Sequence, residues 1–197
     1  MHEGNIYSKG KNWKYKCEFY GVDGKINDSF DVNMRVKSNI IAWITQQIPI
    51  VYEYPYNSEN LIESTGVIEN NEGISIHQPR LGKFNFTSIL PMPSVAYPLE
   101  HKSESQIETT VTKSSFPGLN GKIVKQIRRN TGTGAIFYKE DSLKCFVYES
   151  ENINLINEFG KYHVVYWFNK EYGFVKYLYT KPNGEVISLT LVDFEKN

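Results

Sequence analysis

The chain has little of what most enzymes and nucleic-acid-binding proteins advertise. Its 197 residues hold only two cysteines and four histidines, and its 22 basic side chains are matched by 22 acidic ones. Zero net charge leaves no basic stripe of the kind that drives nucleic-acid binding. The one basic cluster, Lys122, Lys125, Arg128 and Arg129, reads as the solvated face of a strand. No apolar run is long enough to cross a bilayer, and no signal peptide is visible. The chain also lacks a serine elbow, a two-histidine zinc helix, a P-loop and a paired-cysteine motif. The fragment Gly132–Ala135 has neither the third glycine nor the strand–helix setting of a nucleotide loop, and reads as a strand bend. Cys17 and Cys145 have no metal-site spacing and fall in strand-like runs. They read as two buried thiols, ahead of a bridge worth at most ~5 kcal/mol. Nothing here calls for a cofactor or a metal, and no catalytic constellation can be named.

What the chain has is aromatics, 14% of residues with Tyr leading, and these favour pleated, half-buried surfaces. Trp13, Tyr15, Cys17 and Phe19 alternate with Lys14, Lys16 and Glu18. After Asp23-Gly24, Phe30, Val32, Met34 and Val36 alternate with Asp31, Asn33 and Arg35. Period two with one apolar face is a half-buried strand. A type I′ turn at Asp23-Gly24 sets partners whose numbers sum to 47, which places Lys16 opposite Asp31.

Residues 162–194 read as three further antiparallel strands, turning at Asn169–Tyr172 and Asn183-Gly184, with sums of 341 and 367. These registers put His163, Val165, Trp167, Phe174, Lys176, Leu178, Ile187, Leu189 and Leu191 on one face. Tyr162, Val164, Tyr166, Phe168, Val175, Tyr177 and Tyr179 fall on the other, with Ser188, Thr190 and Val192. Two apolar faces imply a central position in a layered structure, or the lining of a cavity. Lys176 reads as a snorkelling lysine and His163 as a satisfied core histidine.

The middle carries weaker strand signals. An apolar run over 40–56 breaks near Pro49, a hairpin turns at Glu72-Gly73, and another at Asn120-Gly121. Further strands lie near 105–116, 121–130, 134–140 and 143–150, and 151–159 holds the one plausible short helix. The fold class is all-β: antiparallel meanders forming a barrel, half-barrel or two-layer sandwich in a single domain, 1–197.

Gly73–His101 stands apart. It holds Pro79, Pro91, Pro93 and Pro98, half of the eight prolines, and two of the four histidines, His77 and His101. Each proline fixes φ, removes a donor and biases its predecessor to extended geometry. Such a segment belongs on a sheet edge or across a barrel mouth. Arg80 offers a rigid fork of donors for a carboxylate or carbonyls, and His77 could act alongside it. A metal at His77 and His101 would need Glu100 or Glu104 as well.

The elements at His77, Pro79 and Arg80, then at Pro91, Pro93 and Pro98, resemble a set of bacterial envelope proteins. Those carry a His-Pro-Pro-Arg-type element followed by a Pro-x-Pro-x-x-x-x-Pro run; Gln78 departs from the doubled proline. The resemblance implies a secreted or lipid-anchored β protein and brings no activity with it. The C-terminal aromatic meander is similar, at the level of fold, to periplasmic half-barrels of the lipoprotein-carrier type. Two functions follow as expectations. One is a non-enzymatic binding module for an apolar small molecule or lipid, with Tyr162, Tyr166, Phe168, Tyr177, Tyr179, His77 and Arg80 as ligand-binding residues. The other is a structural or protein-interaction component with a packed core.

Overall fold

Strand, turn and strand recur through almost the whole chain. The structure, a computed structural model, describes residues 5–37, 47–90, 92–99, 104–112 and 114–196. Of the sequence features above, residues 40–46, Pro91, Glu100 and His101 lie outside these. Twelve antiparallel strands form one open sheet: β1 (Lys11–Tyr20), β2 (Ile26–Val36), β3 (Ile48–Tyr56), β4 (Glu59–Asn70), β5 (Gly73–Ile76), β6 (Ser94–Ala96), β7 (Glu104–Thr110), β8 (Ile123–Tyr138), β9 (Asp141–Asn152), β10 (His163–Asn169), β11 (Gly173–Thr180) and β12 (Val186–Lys196). Their order across the sheet is 6-5-4-3-2-1-12-11-10-9-8-7. The first and last strands therefore pair at the centre, from Lys11 opposite Lys196 to Tyr20 opposite Val186.

This order constrains the shape. The chain meanders from the centre to one edge at β6, crosses to the other edge at β7, and meanders back. Laid flat, twelve strands would span about 53 Å at ~4.8 Å spacing. Only residues 97–103 join β6 to β7, and they reach at most about 29 Å. The sheet must curl until its two edges face each other across a seam.

The concave side is filled by a 3-10 helix, Gly82–Ile89, from the proline-rich segment, an element absent from the sequence-based expectation. It ends at Leu90, held extended at φ −87° and ψ 148°, as a residue preceding proline prefers. Phe84 packs against Phe19, Phe30 and Tyr54 on one half of the sheet. Phe86 stacks on Tyr162 and meets Tyr179 edge-on across the other half. The helix thus ties both halves into one apolar cluster. One α-helical turn, α1 (Ile156–Phe159), sits in the region expected to be helical.

The N-terminal hairpin has the expected register. Trp13 faces Met34, Tyr15 faces Val32, Cys17 faces Phe30 and Lys16 faces Asp31. Its turn differs. The Gly21 and Lys25 backbones bracket a three-residue loop in which Gly24 has φ +77°. That is a type I turn closed by a left-handed glycine, and it gives a sum of 46 at Tyr20–Ile26. A bulge between Phe19 and Tyr20 absorbs the odd residue and restores 47.

The last hairpin has the same loop, Lys181 to Glu185 with Gly184 at φ +87°, and its paired residues sum to 366 throughout, with no such bulge. Tyr177 therefore faces Leu189, and Tyr179 faces Ile187. The expected sum of 367 is corrected by one, which turns β12 over. Strands β10 and β11 pair at 343 from His163 to Trp167, two beyond the expected 341, and at 342 past a bulge at Trp167/Phe168 that carries Phe174 inward. With these corrections one face of the meander is core. Val164, Tyr166, Phe168, Phe174, Tyr177, Tyr179, Ile187, Leu189 and Leu191 are all at most 4% exposed. His163, Val165, Trp167, Lys176, Leu178 and Thr190 are half-buried on the other face. There His163 lies 3.5 Å from Glu149, not in the core, and the Lys176 ammonium sits over the Trp167 ring.

Elsewhere, the two strand signals either side of Asn130–Gly134 are one long strand, β8, with a bulge between Asn130 and Gly132. The β4–β5 turn is Asn71-Glu72, one residue earlier than expected. The β7–β8 connection is wider than an Asn-Gly turn: it runs from Val111 to Lys122, and Gly121 (φ +81°) closes it. The basic cluster is largely ion-paired on the surface. Arg129 contacts Glu104, Glu149 and Glu151, Lys125 contacts Glu108, and Lys122 contacts Glu158. Cys17 and Cys145 are both free and buried.

Candidate functional site

The segment His77–Arg80 leaves β5 at the seam, and backbone bonds fix its path. The His77 N–H donates to the Gly66 carbonyl at 3.1 Å, and the Tyr52 hydroxyl donates to the His77 carbonyl at 2.9 Å. Thr87 donates its hydroxyl to the Pro79 carbonyl at 2.7 Å. The Glu63 carboxylate accepts from the Arg80 N–H at 2.8 and 3.0 Å, from the Leu81 N–H at 3.3 Å and from the Tyr54 hydroxyl at 3.2 Å. With the main chain satisfied in this way, the His77 and Arg80 side chains are free to face the seam.

They line a pocket of about 320 Å³ between the two edges of the sheet. From the β5–β6 side come Ser75, His77, Arg80, Ser88, Leu90, Met92 and Ser94. From the β7–β8 side come Ile107, Thr109, Thr110, Val111, Thr112 and Gln126. Polar bonds bridge the seam around it: Gln126 Nε2 donates to the Ile89 carbonyl, Asn130 Nδ2 to the Leu99 carbonyl, and the Ser115 hydroxyl to the Arg80 carbonyl. The volume suits a small ligand, and the lining mixes four apolar side chains, Leu90, Met92, Ile107 and Val111, with hydroxyl, amide, imidazole and guanidinium groups.

Three residues that line the pocket each carry a buried polar atom with no hydrogen-bond partner: His77 Nδ1, Arg80 Nε and Gln126 Oε1. Among the described residues no carboxylate lies within ion-pair distance of the Arg80 guanidinium. Buried polar groups are nearly always paired, so three residues with orphan atoms around one cavity single out this part of the molecule. Burial, then the neighbouring Arg80 charge, pushes the His77 imidazole down to about 4. Burial also lowers the Arg80 guanidinium, with Glu63 opposing. At neutral pH the described lining residues therefore offer one cation beside a neutral imidazole.

The five aromatic candidates lie elsewhere, and none of them lines this pocket. Tyr162, Tyr166, Phe168, Tyr177 and Tyr179 are buried, with their faces against other rings. Tyr162 meets Phe86 and Phe116, Tyr166 meets Tyr148 and Phe174, Phe168 meets Phe174, and Tyr177 stacks on Tyr179. Tyr166 alone reaches the site: its hydroxyl donates to the Ser94 carbonyl at 2.9 Å, behind the pocket wall. Sequence reasoning missed Gln126, Met92 and the β7 residues, because their approach to His77 depends on the curl of the sheet. Among the described residues no group of histidine, cysteine, aspartate and glutamate side chains is placed to hold a metal ion. No described helix is long and apolar enough to cross a membrane.

No protein-family model matches the chain, and no curated relative matches it. Solved structures do. A protein from Parabacteroides distasonis described as a lipoprotein aligns with a TM-score of 0.55 at 12% identity, covering 96% of each chain. A protein from Bacteroides fragilis described as exported, with a YmcC-like fold, aligns with a TM-score of 0.52 at 12% identity, covering 96% of this chain and 97% of that one. The open, curled antiparallel sheet is thus a fold this chain shares with both.

Proposed function

We propose that the protein is a non-enzymatic binding module of the bacterial cell envelope, taking an apolar or amphipathic small molecule in the seam pocket. The observation that carries this reading is the pocket itself, lined by Arg80 and His77, each with one buried unpartnered nitrogen, together with Leu90, Met92, Ile107 and Val111. The envelope location draws on the two structural neighbours described as exported or as a lipoprotein, and on the His-Gln-Pro-Arg element with its following prolines. In this reading His77 and Arg80 touch the ligand. Tyr166 holds the Ser94 wall, while Tyr162, Phe168, Tyr177 and Tyr179 form the rigid backing that keeps the pocket's shape.

Native mass spectrometry of protein purified from its own envelope fraction tests the proposal, alongside Ile107→Trp, which fills the pocket. Added mass on the parent that is absent from the variant is the expected result. Equal masses for both, with no small molecule released on denaturation, would instead favour a structural component with a packed core.

A further inference from the structure

Resting on that reading of the seam pocket, we infer that its ligand carries a single carboxylate at one end of a short apolar body, with the carboxylate taken by Arg80. The guanidinium fork matches the two oxygens of a carboxylate. Arg80 lines the pocket, its Nε is buried without a hydrogen-bond partner, and no carboxylate among the described residues pairs with its guanidinium. The nearby acid among the described residues, Glu63, is already engaged by the Arg80 and Leu81 N–H groups and the Tyr54 hydroxyl.

The rest of the lining limits the head to one negative charge. Gln126 Oε1 is an acceptor with no partner, and it would repel a second anionic group. His77 is neutral near pH 7 and adds no second cation. A phosphate dianion would meet one cation where it needs two. Leu90, Met92, Ile107 and Val111 supply the apolar part of the lining, and the volume of about 320 Å³ has room for roughly ten groups the size of a water molecule. That describes a carboxylate with a chain of several methylenes, and neither a long lipid nor a bare ion.

Methionine-methyl NMR reads the site directly. The chain has three methionines; Met92 lines the pocket and Met34 is buried in the core. Octanoate, octanol, octyl phosphate and acetate are titrated separately into the full chain. Octanoate should shift Met92 and leave Met34 in place. The other three should bind at least tenfold more weakly. Arg80→Gln should bring octanoate down to the octanol level and leave octanol unchanged.

Octanol or octyl phosphate binding as tightly as octanoate overturns the carboxylate assignment and leaves the binding-module reading standing. Acetate matching octanoate overturns the apolar body and points to a free small carboxylate. No Met92 shift with any of the four overturns both. Should Arg80→Gln fail to fold, the ligand series on the parent chain and on Ile107→Trp still decides, since the filled pocket should lose octanoate while Met34 keeps its native shift.

Discussion

Acid should weaken the fold through His77, by an amount that can be worked out. The imidazole sits near 4 in the folded protein and near 6.5 in an unfolded chain. Because the folded value is the lower one, the unfolded chain takes up the proton first. Stability is unaffected above about pH 6.5 and is lost as pH falls from about 6.5 to about 4. A gap of about 2.5 pH units at ~1.4 kcal/mol each gives an upper bound of ~3.5 kcal/mol. His77 is only half-buried, and solvent screening brings the expected loss to about 1–2 kcal/mol. Urea melts of the parent and of His77→Gln at pH 7.5, 5.5 and 4.5 isolate this contribution from the carboxylates, which both proteins share. The parent should lose about 1–2 kcal/mol more than the variant, and a bound carboxylate should raise the His77 value by offsetting Arg80. Parallel losses in the two proteins, or an imidazole that titrates at 6.5 or above by NMR, would refute the burial argument.

Further outcomes follow from particular contacts. Phe86→Ala removes a ring buried against Tyr162 and Tyr179, and should cost about 3–5 kcal/mol in urea melts. Glu63→Gln weakens the acceptor that fixes Arg80 and Leu81; a loss of about 1–3 kcal/mol in urea melts is expected, with weaker octanoate binding. Burial pushes the Cys145 thiol up to about 11 and the Cys17 thiol higher still, so neither should be alkylated at pH 8 until the protein is denatured, as mass spectrometry would record. With β1 and β12 paired at the centre of one sheet, the chain should unfold in a single transition, and deleting 186–196 should abolish it.

Local alternation made the strands legible, and turn chemistry made the registers only partly so. Trp13, Tyr15 and Cys17 announce their face by period two alone. Asp-Gly and Asn-Gly pairs announce a turn without fixing its length, because one left-handed glycine serves a three-residue loop as well as a two-residue one. That single residue separates 366 from 367 in the last hairpin, and it decides whether Leu189 lies beside Tyr177 or behind it. The bulge at Phe19/Tyr20 hid the same error in the first hairpin. His77 and Arg80 were legible because prolines exclude their segment from mid-sheet. Gln126 was not, since 46 residues separate it from Arg80 and nothing local records that the sheet curls to bring them together.

The seam explains why the pocket and the proline-rich segment occur together. An open antiparallel sheet exposes two rows of unpaired backbone groups, which invite association with other chains. Here β6 is cut to three residues between Pro93 and Pro98, and the Ile76 N–H donates to the Pro93 carbonyl at 3.0 Å, which carries the β5–β6 ladder one residue further. The β7 edge keeps Glu104 and Glu108 exposed and paired to Arg129 and Lys125. Both edges are thus blunted by different means, and they close on each other without a shared ladder. A barrel completed by hydrogen bonds would have left no gap; an edge blunted by proline on one side and charge on the other leaves the space where the Arg80 guanidinium has no ion-pair partner among the described residues.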